Sequence, residues 1–158
     1  KLEESERCFY INENGDPNVF EFTIESCGVM KPKEILVEGL NKIKLKLKNF
    51  MIELEKSLSN TDSLINIKET KALMTAFDIT INNENHTLGH LLQSHINELY
   101  KAKNIFVGYM NPHPLEKKII FRIKVDNIKA VKEIFTKTCS EITKQCESLI
   151  GICVKELK

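Results

Sequence analysis

A chain of 158 residues, 42% apolar and 28% charged, suits a soluble globule of one ordinary domain or two small, tightly joined ones. Its formal net charge of +1 gives no overall pull toward nucleic acid or acidic membrane, so any such contact has to be local. No apolar run nears the roughly 20 residues a membrane-spanning helix needs, and the chain opens on Lys1 with neither initiator Met nor signal-peptide pattern, so it reads as the cut end of something longer.

In chain order, Cys8 to Ile11 and Val19 to Ser26 read as two short strands. The run Asn14-Gly15-Asp16-Pro17 between them is a turn signal, so a hairpin is expected. In the second strand Phe20, Phe22 and Ile24 alternate with Glu21, Thr23 and Glu25. Gly28 breaks it, and Lys31-Pro32 opens a helix with Pro where the missing N–H costs nothing. This helix runs to about Ser59. Leu36, Leu40, Ile43, Leu47, Phe50 and Leu54 form a heptad seam on it, which expects a second helix against it. Lys42, Lys44, Lys46 and Lys48 lie on the remaining face, diluted by Glu34, Glu38, Glu53 and Glu55, and read as solvated.

The polar stretch 60–70 reads as a linker despite Leu64, Ile65 and Ile67. A strand follows at about Ala72 to Ile81, then a turn at Asn82-Asn83-Glu84-Asn85. Thr87 is placed to cap a helix to about Tyr100, with Leu88, Leu91, Leu92, Ile96 and Leu99 as its apolar stripe. Ile105 to Tyr109 and Ile119 to Val125 read as strands, and Asn111-Pro112-His113-Pro114 between them as a rigid turn. Asn127 caps a last helix to the C-terminus, with the seam Ile128, Phe135, Cys139, Ile142, Cys146, Leu149 and Cys153. The sequence thus twice presents a strand, a break and a long seamed helix. Two such units can satisfy each other's seams, giving an α+β fold in which small antiparallel sheets pack against long helices as a pseudo-heterodimer. The expected organisation is a first module at 1–59, a linker at 60–70 and a second module at 71–158.

Residues that carry chemistry are sparse. Cys8, Cys27, Cys139, Cys146 and Cys153 contain no CxxC pair, and the last three, seven apart, are too widely spaced along a helix to share a metal. They read as core thiols of a chain from a reducing intracellular compartment. His86 and His90 stand four apart at a helix start with no HExxH pattern or following carboxylate, so His86 reads as a capping or hydrogen-bonded residue. The residues propose neither an active site nor a cofactor.

The run Phe77 to Leu92, with Ile105 to Tyr109 and Asn111 to Pro114, closely resembles the signature of the small alpha-like subunits of RNA polymerase, the eleventh eukaryotic subunit and its archaeal counterpart. The matching residues are Glu84, His86, Thr87, Leu88, Gly89, Gly108, Tyr109, His113 and Pro114. Asn85 stands where the family has a second acid, and His90 where it has Asn. The first sixty residues, through Phe20 to Ser26, Gly28, Lys31 to Ile35 and the long helix, resemble the C-terminal part of the larger alpha-like partner, the third-largest eukaryotic subunit or its archaeal counterpart. Both on one chain resemble the fused alpha-like subunit of large cytoplasmic DNA viruses.

The resemblance implies a non-catalytic assembly platform of DNA-directed RNA polymerase. Its partners would be other polymerase subunits, including the two large catalytic ones, with no direct nucleic acid and no membrane. The implied location is a viral factory or virion, or the nucleus of a cell. The implied subunit interface is Leu36, Leu40, Ile43, Leu47, Phe50 and Leu54 with Phe135, Cys139, Ile142, Cys146 and Leu149. Two other readings are weighed beside it: a free-standing dimeric regulator that binds nucleic acid through Lys42 to Lys48, and a small metal enzyme centred on His86 and His90.

Overall fold

The computed structural model describes residues 10–11, 13–15, 17–59, 62–70, 76–103, 105–113 and 115–156. Among them are three α-helices: α1 (Pro32–Leu58), α2 (His86–Leu99) and α3 (Ile128–Glu156). A two-stranded ribbon joins β1 (Tyr10–Ile11) to β2 (Pro17–Val19). An antiparallel sheet of order β3-β4-β6-β5 is built from β3 (Ile65–Thr70), β4 (Ala76–Asn82), β5 (Val107–Met110) and β6 (Lys118–Ile123). The α+β class and the helix-on-helix seam are those the sequence implies.

Each helix end has a local cause. Pro32 occupies the first turn of α1, and Glu34 Oε2 accepts the Lys31 N–H at 3.0 Å. Gly28, at φ +96°, takes the left-handed backbone that glycine adopts without a Cβ clash. At the far end of α1, Glu53 accepts the Leu64 N–H at 2.9 Å and so turns the chain back toward β3. The Lys56 ammonium and that N–H hold the Glu53 carboxyl below its ordinary range. Asn127 Oδ1 accepts the Ala130 N–H at 2.8 Å and caps α3 as expected.

The core lies between one face of the sheet and the helices. Phe77, Ile79 and Ile81 of β4 and Ile119, Phe121 and Ile123 of β6 alternate inward and are buried. Leu88, Leu92 and Ile96 of α2 cover them. Phe135 of α3 stands edge-on to Phe121 at 5.7 Å and to Phe50 of α1 at 5.1 Å, so one ring column joins sheet, α3 and α1. The polar Thr138 is buried there because its hydroxyl donates to the Ile134 carbonyl at 2.8 Å.

Cys139, Cys146 and Cys153 are buried as expected. Burial pushes the Cys139 thiol up to about 12. At pH 8 only about one molecule in ten thousand then carries its reactive thiolate. A disulfide-exchange thiol probe at that pH is therefore expected to modify exposed Cys27 rapidly and Cys139 only after urea is added, with peptide mass mapping as the readout. Equal native labelling of both contradicts the packing of α3.

Three expectations are corrected. The alternating run Val19 to Ser26 is a strand only to Val19; residues 20–27 are irregular, and Phe22 is 83% exposed. Alternation prepares a segment for a sheet, but no described strand pairs with it and no core covers its apolar face. Among the described residues the first unit is a helix with a two-stranded ribbon, not a copy of the second. The stretch 60–70 contains β3, which pairs with β4 from Ile65 opposite Ile81 to Thr70 opposite Ala76. Its polar Asn66, Lys68 and Glu69 face water, as an edge strand permits. Ile128 and Leu149 fall outside the buried seam of α3, which instead uses Val131, Ile134 and Thr138 beside Phe135, Cys139, Ile142, Cys146 and Cys153. Cys8 and Ala72 to Thr75 lie outside the described residues.

Candidate assembly surface

The two helical seams meet. On α1, Leu47, Phe50 and Leu54 are buried, while Leu36, Leu40 and Ile43 are half-buried toward the N-terminal end. Opposite them Phe135, Cys139, Ile142 and Cys146 are buried, and Leu149 is 49% exposed. Lys44 reaches Glu147 across the groove at 2.8 Å, and Lys132 reaches Glu55 at 3.5 Å. These exposed pairs contribute little energy. At the open end the Lys33 ammonium donates to the Val154 carbonyl at 2.9 Å, tying the start of α1 to the end of α3. Around that end Phe22, Ile24, Leu36, Val37 and Val154 line an apolar groove.

The signature residues gather at the start of α2 and against β5. Glu84 lies in the loop before α2, and its carboxylate pairs with Lys46 of α1 at 2.5 Å. This is a direct polar link between the two halves of the chain, formed by Lys46 of the face expected to be solvated and Glu84 of the expected turn. Asn85, not Thr87, caps α2: its Oδ1 accepts the Thr87 N–H at 3.1 Å, while the Thr87 side chain is exposed. Asn85 and Thr87 both have capping side chains, and only the backbone decides, since Asn85 is the residue in extended conformation. Asn85→Ala is expected to cost about 1 kcal/mol, read as a lower urea midpoint.

Gly89 is explained by Tyr109. A Cβ at Gly89 would lie 2.4 Å from Tyr109 Cε2 and 2.6 Å from its Cδ2, inside van der Waals contact. The Tyr109 ring is itself held on other sides: it stands edge-on to His90 at 5.0 Å and to His86 at 5.9 Å, and contacts Phe121 at 5.6 Å. Its hydroxyl lies 3.1 Å from His86 Nδ1. Burial pushes its phenol up. Gly89→Val is therefore expected to destabilise by about 1–3 kcal/mol through overpacking, measured by thermal or urea unfolding; an unchanged midpoint contradicts the contact. Gly108 has no such steric need, since an added Cβ would meet Phe106 only at an ordinary 3.7 Å. Leu88 is buried on the inner face of α2.

The turn after β5 is held by its own polar groups. Asn111 Oδ1 accepts the His113 N–H at 3.0 Å, and His113 Nδ1 accepts the Leu115 N–H at 3.2 Å. His113 thus serves as an exposed turn residue; Pro114 lies outside the described residues. His86 and His90 are both exposed and flank the Tyr109 ring. Among the described residues no group of three or more His, Cys, Asp or Glu is placed to hold a metal.

Sequence reading missed the bidentate pair of Arg122 with Asp78, at 2.7 Å through both nitrogens, on the outer face of the sheet. It holds the Asp78 carboxyl below its usual range. The signal was available: strands with one acid and one base at outward positions are candidates for a cross-strand pair, but register is needed to match them.

A sequence profile described as the RNA polymerase Rpb3/Rpb11 dimerisation domain matches residues 76–151, and a second profile of the same description matches residues 4–47. Among curated proteins, the chain is 36% identical over 81 residues to a probable DNA-directed RNA polymerase II subunit RPB11 of Caenorhabditis briggsae, covering 51% of the chain and 65% of that protein. The corresponding Caenorhabditis elegans protein is 39% identical over 75 residues, 48% of the chain and 59% of its own length. DNA-directed RNA polymerase subunit Rpo11 of Saccharolobus shibatae is 32% identical over 76 residues, 48% of the chain and 80% of that protein. The chain thus spans a little under two thirds of the length of the two nematode relatives, and four fifths of the archaeal one.

Proposed function

The chain belongs to the family of the RNA polymerase Rpb3/Rpb11 dimerisation domain, and from that premise we propose that it is a non-catalytic assembly subunit of a DNA-directed RNA polymerase that carries both members of the alpha-like pair on one polypeptide. The observation that carries this reading is the contact of α1, in which the first matched region ends, with the second: α1 packs along α3 through Leu47 and, just past the match, Phe50, against Phe135 and Ile142, and Lys46 of the first region pairs with Glu84 of the second. In this reading residues 1–59 are the C-terminal half of the larger partner's dimerisation domain and residues 71–158 the small partner. The apolar groove at Phe22, Ile24, Leu36 and Val154 would then take the rest of the larger partner's sheet. The platform docks the two large catalytic subunits, and the chain works wherever that polymerase works. The joining of both modules on one chain supports the fused form of large cytoplasmic DNA viruses.

Co-expression with the two large catalytic subunits of the same source tests this. One complex containing all three, stable through gel filtration, is the expected result. Large subunits that associate equally well without the chain, and never retain it, would sink the proposal.

The nucleic-acid reading is less well supported. Two of its four lysines are engaged by acids, Lys44 by Glu147 and Lys46 by Glu84, which leaves a thin cationic face on a chain of net charge +1.

A further inference from the structure

The four-stranded sheet has two outer strands, and their sequences treat the exposed edge differently. β3 carries Lys68 and Glu69, both exposed. Charges of this kind guard natural sheet edges against a stray strand. β5 carries none: Met110 within it, with Phe106 and Leu115 beside it, is exposed, by 56%, 62% and 89% respectively. Such an edge, left bare, invites pairing.

The backbone at this edge has a definite phase. β5 pairs with β6, Val107 opposite Ile123 and Met110 opposite Ile120. The Lys124 N–H donates to the Phe106 carbonyl at 3.0 Å, which makes Phe106 and Lys124 a hydrogen-bonded pair. By the alternation of an antiparallel ladder, Gly108 and Met110 then turn their backbone groups toward β6, and Val107 and Tyr109 turn theirs outward. The Gln93 amide lies 3.5 Å from the Val107 carbonyl. The Val107 N–H and both Tyr109 groups face outward with no such neighbour among the described residues.

Charge around the edge is one-sided. Residues 101–126 hold six Lys or Arg against the acids Glu116 and Asp126, in a chain whose net charge is +1. Arg122 is taken up by Asp78. Lys118 and Lys124 continue the outward face of β6, whose inward residues are Ile119, Phe121 and Ile123, and Lys124 lies opposite Phe106. A second copy of this chain would bring like charges together at this edge, whereas an acidic strand would be drawn to it.

We propose that the β5 edge receives an extended, acidic strand from a neighbouring polymerase subunit, which adds to the sheet through the Val107 N–H and the Tyr109 backbone, the Val107 carbonyl being taken by Gln93, and rests apolar side chains on Phe106 and Met110. The proposal rests on the assembly reading above, and its test separates the two. Amide hydrogen exchange is measured on the free chain and on its complex with the two large catalytic subunits. The Val107 and Tyr109 amides are expected to exchange at least about tenfold more slowly in the complex, while Gly108 and Met110, already bonded to β6, change little. Met110→Glu, which sets an acid against an acidic strand, is expected to weaken assembly about tenfold more than Met110→Lys. A complex that forms with Val107 and Tyr109 exchanging as in the free chain overturns the strand addition and leaves the assembly reading standing. No complex at all overturns both. Protection that appears in the free chain as its concentration rises means that two copies pair at this edge, and overturns the acidic partner.

Discussion

Phe135→Ala is expected to cost about 3–5 kcal/mol, a large share of the roughly 5–15 kcal/mol that stabilises a domain of ordinary size. Phe135 is fully buried and is the middle ring of the column from Phe50 through Phe135 to Phe121. Truncation removes the apolar transfer of one large side chain and leaves a cavity at the junction of α1, α3 and β6, three elements that cannot all close on it. The melting temperature should fall by roughly 10 °C in a chain of this length. Phe22→Ala is the control: the same residue type, 83% exposed, is expected to change stability by no more than about 0.5 kcal/mol. Equal effects at the two positions would mean that the ring column is not the core.

Leu47→Asp is expected to abolish folding. Leu47 is 1% exposed on the face of α1 that meets α3 and belongs to the buried hydrophobic cluster. The substitution loses a core leucine and sets a carboxylate into the buried helix seam, together worth about 5 kcal/mol. The measurable result is loss of the cooperative urea transition and of soluble monomer. Ile142→Asp, at 2% exposure on the facing helix, should behave alike. Leu149→Asp should not. Leu149 continues the same heptad on α3 but is 49% exposed, so its change should leave the urea midpoint within about 0.5 kcal/mol. A folded Leu47→Asp protein with an ordinary midpoint would show that α1 is not docked on α3.

The contrast between Leu47 and Leu149 also shows what the sequence reveals and where it stops. A heptad announces that a helix has a partner, and α1 and α3 were legible for that reason. It does not say how far along the helix the partner extends. Val131 and Ile134, which are buried, sit beside the strict seven-residue spacing, and next to them Phe135 meets β6 through Phe121 as well as α1 through Phe50. β4 and β6 were legible from inward alternation. β3 was not, because its inward residues, buried Ile65 and half-buried Ile67, alternate for only one and a half repeats inside a polar stretch, and what makes it a strand is the edge of β4. The reverse error at residues 20–26 has the same physical root: alternation is a local property, while a strand needs a neighbour.

At the site, the signature residues were found by pattern, but their reasons are tertiary. Gly89 and Tyr109 stand twenty residues apart, and their mutual dependence appears only when the ring is seen over the helix. The Glu84–Lys46 pair joins loop and helix from opposite halves of the chain, and neither charge differs in sequence from its solvated neighbours. The unpaired edge of β5 was hidden for the same reason, since Val107 to Met110 reads as a strand whether or not a second strand lies on each side.

Whether one chain alone supplies both alpha-like modules is settled most directly by native mass spectrometry of the chain purified in complex with the two large catalytic subunits. The intrachain packing of α1 on α3 predicts one copy of this chain per complex. Two copies, each lending one module to the other, or a complex of the large subunits that contains none, would contradict it.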